Sequence, residues 1–341
     1  MNTFVRRSVV ALFLVAGIAM VGASGAPEDS GSAEADDTTT EVIGISKIVA
    51  HPALDAIEKG IIDELADLGH DDLEFDLQNA NGDMSTAASI ATKFRNDNVD
   101  LAIGIATPTA QALANAIDDV PVVFAAVTDP VGAGLISSTD AGEGNITGSS
   151  DVAPMEAQFE LMSRLVDVET VGHVYAGGES NAVSMAETAR ATAEAMGLDF
   201  VEATVVNSSE VRSATQSIID RVDAIYVSLD NTVVSAISAL TDVAEGAGVP
   251  VISADTTSAE NGGVLLALGF NYYKFGRATG RLVADILDGT DPASIPTLFL
   301  TDPADLDLLI NLDVAEELGI SIPEDLRSDA SIVIEDGEIS R

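Results

Sequence analysis

The run IGIATPTAQALANAIDDVPVVFAAVTDPVGAG, residues 103–134, decides the fold. A short apolar segment ends in Ala106-Thr107-Pro108-Thr109, a helical segment covers 110–117, and a second apolar segment, 120–127, stops at Thr128-Asp129-Pro130. The order is strand, loop, helix, strand, loop. Thr107 is placed to cap the helix, and Pro108 takes the first helical position, where its missing N–H costs nothing. In a parallel sheet the loops leaving the carboxyl ends of strands form the ligand crevice. Two Thr-rich loops from successive strands are therefore expected side by side at one mouth.

The same unit repeats outward. Upstream, the pattern predicts strands over 42–49, 73–77 and 100–105 and helices over 54–68 and 84–94, with Leu54, Ile57, Ile61, Ile62, Leu65 and Leu68 forming one apolar face. A short strand is expected at 145–148. After Pro154 the alternation restarts: helices over 155–166, 182–196, 210–221 and 233–246 separate strands over 170–175, 199–205, 224–228 and 249–253. A strand to Phe270, a helix over 275–287 and an extended stretch over 294–301 follow. Brief loops between alternating strands and helices are the mark of a doubly wound sheet. The expected fold class is α/β, two Rossmann-like lobes with parallel sheets and a ligand cleft between them. The lobes are expected to be 42–153 plus about 271–298, and 154–270 plus about 299–335, with the helix after Tyr273 packing back on the first lobe. Several chain crossings of that kind favour hinge motion.

The chain has 341 residues, 56 acidic against 15 basic, for a net charge of -41. Only Lys47, Lys59, Lys93 and Lys274 are lysines. An excess of this size lies on the surface and leaves no basic footprint for phosphates, which argues against a nucleic-acid partner. It suits a very salty medium, where screening removes the self-repulsion. Cysteine is absent and His51, His70 and His173 lie far apart, so neither a disulfide nor a structural zinc site is expected. No cofactor motif is present, GxGxxG after the first strand included.

Arg6 and Arg7 precede an apolar stretch, 9–21, and a small-residue exit, 22–26. This reads as a secretory signal peptide over 1–26, with an uncleaved anchor as the other reading. Residues 27–41, acidic and rich in Gly, Ser and Thr, read as a disordered linker. Either way the body is expected outside the cytoplasm.

Four further segments complete the reading. IVAHPALD (48–55), QNANGD (78–83), ATPTAQ (106–111) and FAAVTDPVGAG (124–134) resemble the family of ABC transporter substrate-binding proteins that includes tryptophan- and tyrosine-binding members. GESN (178–181), LDNTV (229–233), ADT (254–256) and GFNYYKFGR (269–277) continue the resemblance, which covers about 42–325 in order. It implies a type I periplasmic-binding-protein fold, a monomeric receptor that closes on a small amino acid-like ligand, and delivery to a permease with its ATPase. Many relatives end their leader in a lipid-modified cysteine; Ser24 stands near that place here, so cysteine lipidation is impossible.

Candidate ligand-binding residues follow from where the motifs fall. Thr107 and Thr109, with the amides after them, suit a ligand carboxylate, since an anion gains both unpaired N–H groups and the positive helix end; simple capping is the alternative for Thr107. Glu179 and Asn181 form the matching loop of the other lobe, where Asn181 suits a cap better than a ligand contact. Asp230 and Asp255 end successive strands, and either suits an α-ammonium. Thr128 and Asp129 stand similarly in the first lobe, although Asp129 also fits a turn before Pro130. His51 lies on the first crevice loop, and Tyr272 suits stacking on an aromatic ligand.

An enzyme on this fold would need a nucleophile with its base or a metal set, and no GxSxG, HExxH or Walker loop is present. A sensory receptor domain would use the same cleft. The ligand expected is an α-amino acid, aromatic by preference, with a branched-chain amino acid or another small carboxylate as the alternative.

Overall fold

The computed structural model describes residues 40–341, Asn261 excepted; the signal peptide expected over 1–26 and all but the last two residues of the linker expected over 27–41 lie outside the described residues. The first lobe is built from β1 (Val42–Lys47), α1 (Pro52–Asp67), β2 (Glu74–Asn79), α2 (Met84–Asp97), β3 (Leu101–Ile105), α3 (Thr107–Ala116), β4 (Val122–Ala125) and β5 (Ile146–Ser150). The second continues with α4 (Met155–Leu165), β6 (Thr170–Ala176), α5 (Ser180–Ala195), β7 (Asp199–Val205), α6 (Val211–Ile218), β8 (Ala224–Val227), α7 (Asn231–Val234), α8 (Ile237–Ala247), β9 (Val251–Ser253), α9 (Thr256–Ala259) and β10 (Leu266–Phe270). Then come α10 (Tyr272–Leu287), β11 (Leu298–Phe299), β12 (Leu306–Asn311), α11 (Leu312–Leu318), α12 (Glu324–Asp329), β13 (Ile332–Glu335) and β14 (Glu338–Ser340).

One sheet has the order β11-β5-β4-β3-β1-β2 and is parallel at every pairing. The other runs β14-β13-β12-β10-β9-β8-β6-β7. Its strands from β7 to β10 are parallel, as expected, while toward one edge β12 is antiparallel to β10 and β14 to β13, so the sheet is largely parallel. The cause is connectivity. A parallel neighbour needs a crossover helix on its own sheet, whereas β12 is entered from β11, a strand of the other sheet.

Apolar strands sandwiched by helices on both faces explain the continuous hydrophobic runs: β3, β4 and β8 are buried at every residue. The chain passes between sheets after β5, after β10 and after β11. Helix α10 lies on α1 through glycines at backbone contact. A Cβ on Gly60 would stand 2.4 Å from the Tyr273 carbonyl oxygen, and one on Gly276 2.4 Å from that of Ile57. Arg277 and Arg281 both reach the buried Glu64 carboxylate at the rim of this seam, at 2.5 and 2.8 Å.

Three local readings change. Thr107 is not a cap: Ala106 holds the cap position, with φ 74 and ψ 157, and Thr107 is the first helical residue. The single helix expected over 233–246 is two, α7 and α8, broken where the Ser235 hydroxyl turns back to the Thr232 carbonyl at 2.8 Å. Helix α10 starts three residues early because the Asn271 side chain accepts from the Lys274 amide.

Candidate ligand-binding site

In each sheet the strand order reverses at one place, between β1 and β3 in the first and between β6 and β8 in the second. Loops leaving such switch points splay apart and leave a crevice at the carboxyl edge. Here the two crevices face each other across one cavity lined from both lobes. Val49, Leu54, Leu229, Val234 and Tyr272 supply apolar wall; His51, Thr107, Thr128, Asp151, Asn181, Asp230 and Asp255 supply polar groups. Among the described residues, no lysine or arginine lines it.

His51 caps α1: its Nδ1 accepts from the Ala53 amide at 3.3 Å. The proton of the neutral ring therefore sits on Nε2, which lies 3.7 Å from the Asp255 carboxylate of the other lobe. Burial lowers the imidazole pKa despite the nearby carboxylates of Asp255 and Asp55. Asp255 is itself the cap of α9, accepting from the amides of Thr257 and Ser258 and from the Thr257 hydroxyl.

Asp151 directly follows β5, where the chain leaves the first lobe, and is buried. One oxygen accepts from the Thr128 hydroxyl at 3.0 Å. Burial pushes its pKa up to about 6, with Asp255 adding to the rise. Asp230 caps α7 through the Val233 amide at 2.9 Å and takes the Ala176 amide at 2.6 Å. Burial first, and the Glu179 carboxylate second, push it up to about 7. Tyr272 opens α10 with its ring in the cavity wall, and burial raises its phenol well above the ordinary value.

Side chains therefore cap α1, α7, α9 and α10. Helices α3 and α5 have no side-chain cap. At the start of α3, the Thr107 hydroxyl is buried with no hydrogen-bond partner among the described residues, and Pro108 removes one competing amide. At α5, Asn181 donates through Nδ2 to the Leu229 carbonyl at 2.9 Å, leaving its Oδ1 buried and unpartnered. Ala106 and Ala126, both cavity-lining, hold positive φ (74 and 54), a conformation that costs non-glycine residues on the order of 1–3 kcal/mol.

Residues 42–334 match the family described as ABC transporter substrate binding protein. The chain belongs to that family. A tyrosine-binding protein of Clostridioides difficile (strain R20291) is 36% identical over 287 residues, 83% of this chain and 82% of that one. The crystal structure of an ABC domain from Streptococcus pneumoniae in complex with L-Trp is 36% identical, with a TM-score of 0.83 over 87% of this chain and 100% of the other. The ligand-free, open structure of a substrate binding protein from Clostridium difficile is 33% identical over 87% of this chain and 99% of its own, yet superposes with a TM-score of only 0.66. The fold is that of type I periplasmic binding proteins, and the family is one of solute binders rather than enzymes.

Of the residues singled out in this binding protein's sequence, His51, Thr107, Thr128, Asn181, Asp230, Asp255 and Tyr272 line the cavity together; Thr109, Asp129 and Glu179 do not. Thr109 turns its hydroxyl back to the carbonyls of Ile105 and Ala106 at 2.6 and 3.0 Å. Asp129 accepts from the Gly132 amide and, across the lobes, from the Ser184 hydroxyl at 3.0 Å. Glu179 receives Asn231 Nδ2 and both the amide and the hydroxyl of Thr232, so it braces the Asp230 loop from behind. Asp151 was missed. Its only signal was position, an acid directly after a strand at the lobe crossing.

Proposed function

We propose that this chain is the extracytoplasmic solute-binding component of an ABC importer, and that its ligand is a zwitterionic α-amino acid with an aromatic side chain. The carrying observation is one cavity that combines an uncapped helix start with enclosed carboxylates and no lysine or arginine among its described lining residues. A ligand carboxylate fits the start of α3, where the Thr107 hydroxyl and free amides meet the positive helix end. A ligand ammonium fits beside Asp151, whose second oxygen has no hydrogen bond within the described chain, and near Asp255; a charge-assisted bond there offsets the cost of burying the carboxylate. Tyr272 and the aliphatic wall then face the ligand's apolar part.

The better superposition on the L-Trp complex than on the open relative supports reading this arrangement as the closed one, in which the lobes have swung together about the crossings. A permease and its ATPase are the partners this function requires. The purified protein tests the ligand reading. In a thermal-shift screen against the amino acids at high salt, followed by calorimetry, tyrosine, tryptophan or phenylalanine should raise the melting point. Stabilisation by a branched-chain amino acid or a simple carboxylate alone would overturn it.

A further inference from the structure

We infer that Asn181 Oδ1 receives a hydrogen bond from a donor on the ligand's side chain, so that the site selects a phenol or an indole N–H and discriminates against phenylalanine. This rests on the proposal that the ligand is an aromatic amino acid.

The orientation of the amide is fixed by its neighbour. Nδ2 donates to the Leu229 carbonyl at 2.9 Å, and the flipped amide would set two oxygens against each other. Oδ1 must therefore point away from Leu229, and Asn181 lines the cavity at 3% exposure with that oxygen unpartnered. A buried acceptor left empty is costly, so a ligand that fills the cavity must bring a donor to it.

The charged ends of an amino acid have other places. A carboxylate is repelled by an amide oxygen, and the uncapped α3 with the Thr107 hydroxyl receives it instead. The ammonium is drawn to the pole where Asp151, bound to Thr128, neighbours Asp255 and Tyr272. Asn181 belongs to a separate hydrogen-bonded group: its partner Leu229 precedes Asp230, and the next residue, Asn231, is tied to Glu179 at 2.7 Å. Both oxygens of Asp230 are already taken by the amides of Ala176 and Val233. The acceptor left open in this group is Asn181 Oδ1, and what remains of the ligand to meet it is the side chain.

Calorimetry with L-Tyr, L-Trp and L-Phe on the wild-type protein and on Asn181→Leu tests this. The expected result is phenylalanine bound about 10- to 100-fold more weakly than the better of the other two, as for a buried acceptor left unmet, and a ratio near one in Asn181→Leu. A merely structural role for Asn181 would weaken all three ligands alike and preserve the ratio, and that outcome overturns the inference. Phenylalanine binding as tightly as tyrosine and tryptophan overturns it too, while leaving the aromatic reading intact. Binding of none of the three overturns both. Should Asn181→Leu fail to fold, O-methyl-tyrosine and 1-methyl-tryptophan replace it on the wild type. They lack the donor, and affinities equal to those of tyrosine and tryptophan would sink the assignment.

Discussion

Ser184, on α5 of the second lobe, donates its hydroxyl to Asp129 Oδ2, on the loop after β4 of the first, at 3.0 Å. The bond ties the rims of the cleft together away from the cavity and can form only when the lobes are near each other. Removing it should favour the open arrangement without touching the lining. Ser184→Ala is expected to weaken ligand binding by about 2- to 10-fold, the worth of one hydrogen bond at a part-exposed rim, through faster dissociation. Stopped-flow release would show it; an unchanged off-rate would mean the bond survives opening or contributes nothing.

Asp151 should trade stability for binding. Its folded pKa, about 6, and that of Asp230, about 7, lie above the ordinary carboxylate value of 3.8. The neutral form is therefore favoured by folding: this contribution is full below pH 3.8 and is lost as pH rises through about 6 and about 7. Asp151→Asn keeps an oxygen for Thr128 and removes the buried charge. It should stabilise the ligand-free protein at pH 8 by on the order of 2–3 kcal/mol and weaken amino acid binding by about 10- to 100-fold. Denaturant melts with calorimetry give both numbers, and tighter binding by the variant would contradict the ammonium subsite.

Wild-type affinity should then rise with pH between about 5 and 8, with protons released on binding, because a cation beside Asp151 drives off its proton. Calorimetry in two buffers of different ionisation enthalpy measures the release. Proton uptake would reverse the sign and refute the pairing.

His173 sets the acid limit. Its ring is wholly buried against Tyr175, Phe200 and Tyr226; Nδ1–H donates to the Tyr226 carbonyl at 2.9 Å, and Nε2 has no partner among the described residues. Burial lowers its pKa from 6.5 to about 4. A depressed value contributes stability that is full above pH 6.5 and is lost as pH falls through about 4, on the order of 3 kcal/mol in all. His173→Phe should flatten that acid limb in circular-dichroism melts between pH 4 and 6.5. A limb of unchanged slope would place the acid sensitivity elsewhere.

The net charge of -41 predicts a melting point that climbs with salt, because screening relieves repulsion among acids that 15 basic residues cannot pair. Potassium chloride from 0.05 to about 2 M should raise it steadily. A flat series would remove the argument for a salty habitat.

The alternation of strands and helices was legible because apolar periodicity is a local property, and the crevice loops followed from it. Other features depend on distant partners and leave no local trace. Ala106 and Ala126 adopt positive φ although nothing about an alanine announces it. Thr107 reads as a cap from its neighbours, but the chain enters α3 through the strained Ala106, which frees the hydroxyl. Asp151 is one acid among 56 until β5 and the lobe crossing enclose it. The direction of β12 depends on where the chain has come from, which periodicity does not encode.

The glycine seam between α1 and α10 fixes which of the cavity's groups move as one body. With backbone against backbone at Gly60 and Gly276, α10 cannot slide, so Tyr272 at its start is anchored to the same rigid half as His51 and Thr107. Asp230, Asp255 and Asn181 belong to the other half. A solute would therefore be caught by one jaw, through its carboxylate and its ring, and inspected by the second only as the bite completes. Molecules that pass the first contact and fail the second would leave quickly, which makes selectivity a matter of dwell time rather than of arrival.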